Sequence, residues 1–192
     1  MSSSQKALFV EEASSLNETF GGSASVVMGK FSAPGVPPSC ALASQFRALG
    51  APVFLVRVAF PVGPAALRLT TDASPPLPAV EPPDWYDLAL EPQPSDVFIH
   101  KRHWGAFYGT DLDLQLRRRR IETIVLGGIA TNFGVESTAR FAHELGYEQI
   151  FAEDAMASFT KANHDFAIQN ILPRLGRVRV VGEILPALRE GK

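Results

Sequence analysis

From Asp96 onward the chain alternates short apolar runs with segments of helical periodicity, and that alternation most restricts what it can fold into. Residues 97–99, 123–126, 150–152 and 178–181 read as strands. Residues 111–119, 135–145 and 160–172 space their apolar side chains for one helix face, and 183–189 form a last helix. Thr110 suits the N-cap of the first of these helices, and Gly146 closes the second. Upstream, 7–10 and 53–58 add two strands, with a helix running from Pro37 and Pro38 through Gly50 between them. Strands linked by helices form βαβ units, which require a mainly parallel sheet with right-handed crossovers. The expected class is α/β, with six strands in the sheet and no internal boundary, so residues 1–192 read as a single domain.

Two stretches break the alternation. Residues 13–36 are rich in Ser and Gly and read as a long loop. Residues 61–94 hold nine prolines, and so many missing amide donors support neither a continuous helix nor a central strand. A loop of that length in a compact domain is a lid, an oligomer contact or a disordered segment; Trp85 and Tyr86 argue against pure disorder.

Composition narrows the partners. The net charge of −2, from 18 basic and 20 acidic residues, favours neither nucleic acid nor an anionic membrane. The run Arg117 to Arg120 reads as a solvated last helical turn, where cations complement the helix dipole. A single cysteine, Cys40, excludes an intramolecular disulfide and any multi-cysteine metal site, and it reads as a small apolar residue of the first helix. No apolar window reaches 18 residues and the amino terminus lacks a signal-peptide core, so a soluble, cytoplasmic protein is expected.

In open parallel sheets the site lies beyond the carboxyl ends of the strands. The residues collected there are Glu12, Lys101, the turn 129–134 and Asp154. Glu12 and Lys101 fit an acid/base pair, each shifting the other's pKa; each also fits a solvated strand end. His100 and His103 lack a further ligand for a metal, and His143 and His164 read as ordinary residues of helices. Neither phosphate-binding glycine motif is present, so no metal and no cofactor is expected.

The segments K-R-H-W-G-A-F-Y-G-T-D-L-D-L-Q-L-R-R-R (101–119) and L-G-G-I-A-T-N-F-G-V-E-S-T-A-R (126–140) resemble the isochorismatase-like hydrolases. That superfamily contains isochorismatases, nicotinamidases and N-carbamoylsarcosine amidase, and the likeness continues through A-H-E-L-G-Y and A-E-D-A-M-A-S. The resemblance implies a three-layer α/β/α, Rossmann-like fold, commonly a homodimer or a larger homo-oligomer, acting on a small molecule. The amidase branch uses an Asp, a Lys and a Cys. The first matches Glu12 and the second Lys101, while the cysteine position is Gly134, so the nucleophile is missing. The family's non-proline cis peptide falls near Ile129, Ala130 and Thr131, where backbone amides form an oxyanion hole.

Without a thiolate the acyl-enzyme route is closed, and amide hydrolysis of the nicotinamidase type is not expected. Isochorismatases also carry Gly at this position and cleave a vinyl ether by protonation and water attack, with no covalent nucleophile. By that resemblance Glu12 is the acid, and Lys101 orients it or holds an anionic group. Two features depart from the pattern. Glu for Asp moves the carboxyl by about 1.5 Å, and misplacement on that scale costs about a hundredfold. Ala130, Thr131 and Asn132 stand where isochorismatases have Tyr-Ala-His, so isochorismate itself is not supported. Trp104, Phe107 and Phe133 flank the motifs and suit an apolar wall, with Ile129, Ala130, Thr131 and Asn132 contacting substrate. The same alterations fit a non-catalytic binding or scaffold protein on this fold, or a small-metabolite sensor.

Overall fold

The computed structural model describes residues 5–12, 38–58, 71–72 and 90–190, with 5–12 and 189–190 described as backbone alone. The elements are β1 (Gln5–Glu12), α1 (Pro38–Ala48), β2 (Val53–Val58), β3 (Val97–Lys101), α2 (Leu112–Arg118) and β4 (Ile121–Ile129), followed by α3 (Glu136–Glu144), β5 (Glu148–Ala157), α4 (Lys161–Phe166), β6 (Arg177–Arg179) and α5 (Val181–Glu190). The long loops expected at 13–36 and across most of 61–94 lie outside the described residues, Trp85 and Tyr86 included.

The strands join in the order β3-β2-β1-β4-β5-β6, and every pairing is parallel. Apolar runs such as V-F-L-V in β2 are buried on both faces, as a parallel sheet covered by helices requires. Alternation along the strands divides the interior. Phe54, Val56, Ile124 and Leu126 point into one core with Leu112, Leu116, Ala139 and Leu172. Val53, Leu55 and Val125 point into the other, with Leu42 and Phe46 of α1 and Ile184 and Leu188 of α5. The α/β class and parallel pairing read from the alternation are thus observed.

Several boundaries differ from the expected ones, each for a physical reason. Opposite β5, Leu126 pairs with Phe151 and Gly128 with Met156, so β5 bulges between them and resumes instead of ending at Ala152. Asp154 sits in that bulge, and its carboxylate accepts the amide of Val181 at 2.8 Å. Glu183 accepts the amide of Val180 at 3.2 Å, so α5 claims Val181, which the apolar pattern had assigned to a strand. The helix expected over 160–172 is segmented. Thr160 caps α4 through the Asn163 amide (3.1 Å), and the chain then passes through a π turn at Ala167–Ile171 and a 3-10 turn at Leu172–Arg174. Gly50, at φ +70°, supplies the left-handed residue that ends α1. The arginine run is more engaged than a solvated turn. Arg117 lies 4.6 Å from the Tyr147 ring centre and donates to Asp113 and to the Leu145 carbonyl, while Arg119 bonds Gln115.

Candidate active site

The strand order reverses direction between β1 and β4, and the carboxyl ends of those strands frame the crevice where ligands of such sheets sit. Lys101 closes β3. Alternation places it on the face of Ile99, and it is 3% exposed. Its ammonium donates to the Trp104 carbonyl at 2.5 Å, and burial pushes its pKa down to about 7 from 10.5. An amine in that range exchanges protons at neutral pH.

Glu12 ends β1 in register with Arg57, and through it with His100; Lys101 pairs one step further on, with Val58. The backbone therefore brings Glu12 and Lys101 to one edge, separated by β2, or roughly 10 Å at ordinary strand spacing. The Glu12 side chain lies outside the described residues. Arg57 reaches to within 5.7 Å of the Phe98 ring centre.

The segment after Lys101 folds back over α3. Gly105 packs on α3, where a Cβ would make ordinary contact with the Phe141 ring at 3.4 Å and the Ser137 carbonyl at 3.5 Å. The Ala106 amide donates to Thr138 at 3.0 Å. This anchoring leaves Trp104 65% exposed, with its ring edge-on to Phe133 at 4.9 Å, and Phe133 in turn meets Phe159 at 5.6 Å. Phe107 is a different case. It is buried in the core and packs on Tyr147 at 5.8 Å.

The peptide bond between Ile129 and Ala130 is cis, and Thr131–Val135 forms a π turn that leads into α3. The Ala130 carbonyl accepts the amides of Phe133 (3.1 Å) and Val135 (3.2 Å). Thr131 is fully buried. Its hydroxyl donates to the Ala157 carbonyl at 2.9 Å and lies 2.9 Å from His164 Nδ1. That side chain thus ties the turn to the end of β5 and to α4. Asn132 is half-buried and accepts a hydrogen bond from Ser158. Gly134 is buried within the turn. Beyond the site, Glu136 and Arg140 pair across one helical turn at 2.9 Å, and half-buried Cys40 lies on α1.

A profile for the isochorismatase domain matches residues 27–181. The chain belongs to the isochorismatase family. Among relatives, the isochorismatase family protein YecD of Escherichia coli O157:H7 is 56% identical over 151 residues, covering 77% of this chain and 79% of its own. YwoC of Bacillus subtilis, of the same family, is 47% identical over 157 residues, covering 80% and 83%. A solved isochorismatase family protein from Burkholderia thailandensis superimposes with a TM-score of 0.81 at 37% identity, covering 98% and 97%.

His164 reads as an ordinary helical histidine in sequence, yet it meets the turn after β4 through Thr131. One signal was available. His164 precedes buried Ala167 and Ile168 by three and four positions, which places it on the inward side of its helix. Burial lowers its pKa. Among the described residues no cluster of His, Cys, Asp and Glu is arranged to hold a metal ion, and no helix is long and apolar enough to cross a membrane.

Proposed function

We propose that this isochorismatase-family chain is a hydrolase that acts on a small molecule by acid/base chemistry, without a covalent cysteine nucleophile. The observation that carries the reading is Lys101: a buried amine with a pKa of about 7 at the carboxyl edge of the sheet, the edge at which β1 also ends with Glu12. Gly134 offers no nucleophile, and Cys40, the only cysteine, belongs to α1 rather than to the turn after β4. In this scheme Glu12 protonates the substrate's enol carbon, water adds to the resulting cation and returns a proton to the Glu12 carboxylate, the adduct's carbon–oxygen bond breaks as its hydroxyl proton leaves with the released alcohol, and Lys101 orients the carboxyl or holds an anionic group. Trp104 and Phe133 form the apolar wall, and the backbone of Ile129, Ala130 and Asn132 supplies polar contacts. The enzyme works as a homodimer or larger homo-oligomer, for which exposed Tyr108 and Phe141 offer apolar surface to a second copy.

The test is a thermal-shift screen of small amides, enol ethers and aromatic acids against wild type and Lys101→Ala, followed by turnover assays on each ligand found. Stabilisation confined to wild type is expected. Turnover untouched by Glu12→Gln and Lys101→Ala overturns the assignment. The alternative is a non-catalytic binding or scaffold protein, motivated by Glu12 and Gly134 at two of the three family catalytic positions. That reading predicts no turnover of any ligand in the screen.

A further inference from the structure

The polar contacts at the end of β5 obey a strict proton count. Thr131 has one hydroxyl hydrogen, and the Ala157 carbonyl, 2.9 Å away, can only accept. His164 Nδ1, 2.9 Å from the same oxygen, must then be the donor, which fixes the hydrogen on Nδ1 and leaves a lone pair on Nε2. Free histidine in water favours the opposite tautomer. The chain His164 to Thr131 to Ala157 therefore has one direction only.

This chain does not stand alone. Ser158 bonds Asn132, and Thr160 caps α4, so each described polar side chain between β5 and α4 is engaged with the turn or with the start of the helix. We infer that His164 is a positioning residue: through Thr131 it holds the turn 130–134 in the form that faces substrate, donating from Nδ1 as the neutral Nδ1–H tautomer. The inference rests on the reading of that turn as a wall of the active site. Burial favours the neutral ring, and Lys161 acts in the same direction; Asp165 and Glu153 oppose them. Protonation of Nε2 leaves the Nδ1 donor in place, so the hydrogen bond itself persists at low pH.

The wild-type protein, labelled with 15N histidine, reports the tautomer directly from long-range nitrogen–proton correlations at neutral pH. Its His164 is expected to show a protonated Nδ1 and a bare Nε2; the reverse pattern overturns the inference. Hydrogen exchange then reads the turn. In His164→Ala the amides of Phe133 and Val135 are expected to exchange about tenfold faster or more, the scale of one lost buried hydrogen bond. His164→Asn, whose amide nitrogen falls near Nδ1, restores protection, whereas His164→Gln, whose nitrogen falls near Nε2, does not. Unchanged exchange in His164→Ala, or no rescue by Asn, overturns the role. If the alanine variant fails to fold, the tautomer and the Asn–Gln contrast decide. None of these readouts needs a substrate, so failure of the hydrolase reading, seen in the Lys101→Ala screen, is separable from failure of this one.

Discussion

The two walls of the crevice are built on opposite principles. On the β4 side, the turn 129–134 is laced to its surroundings: Thr131 is bonded to Ala157 and His164, Asn132 to Ser158, and the Ala130 carbonyl to two amides. On the β3 side, a lysine lies in an environment that disfavours its charge, with the carbonyl of exposed Trp104 as a described acceptor. The first wall gains stability from its polar groups. The second sacrifices stability to keep an amine whose proton is loosely held. Rigid amides facing a labile proton suit chemistry that positions with one side and transfers with the other.

The largest expected effect breaks the second wall. Once a substrate is in hand, Lys101→Ala should lower kcat/KM by about a hundredfold or more, the scale of misplacing the acid that it orients. Next comes the stability of that wall. Lys101→Met should stabilise the protein at pH 7 by on the order of 1–4 kcal/mol, as replacement of buried ionic groups by apolar ones can do, measured by urea denaturation. Its sign has a pH signature. The unfolded chain holds this proton up to about 10.5 and the folded chain up to about 7, so between these values the unfolded state binds more protons. Wild-type stability should therefore rise with pH across that window, and the Met variant should lack the rise.

The first wall should respond in the opposite sense. Thr131→Val removes the hydroxyl that both His164 and Ala157 require, and should cost about 1–3 kcal/mol with no compensating gain. If this variant proves neutral, the contrast between the walls collapses. Arg140→Ala calibrates the set. It breaks an exposed pair within α3, away from both walls, and should change stability by only about 0.3–0.5 kcal/mol.

Local pattern was enough for some parts of the molecule and not for others. β2 is legible because V-F-L-V-R-V is a mainly apolar, β-branched run between Gly50 and the proline-rich stretch that starts at Pro61. β5 was read short because Glu153 and Asp154 interrupt its apolar run; the bulge takes these charges out of the ladder, and bulges carry no local signature here. The start of α5 depends on Asp154, twenty-seven positions away in sequence, which no helical window contains. At the site, Lys101 was visible as a strand-end cation and through the family motif, but its burial depends on the segment that folds over α3. Phe107 and Trp104 look alike in sequence, three positions apart in one motif. Long-range packing, the Tyr147 contact included, takes one inward and leaves the other in solvent. His164 is the same lesson in reverse, a polar residue whose meaning lies in a turn thirty-three positions earlier.

The place of β1 in the sheet has a consequence for synthesis. The strand nearest the amino terminus occupies the middle, between β2 and β4, and its longest pairing, from Gln5 to Glu11, is with β4. On the ribosome β1 can anneal to β2 early, but its other edge has no partner until residues 121–129 have emerged. Through that interval a nascent strand edge is open to wrong partners, the situation holdase chaperones relieve. The spatial order of the strands is thus also a timetable, in which the crevice between β1 and β4 is the last seam of the sheet's centre to close.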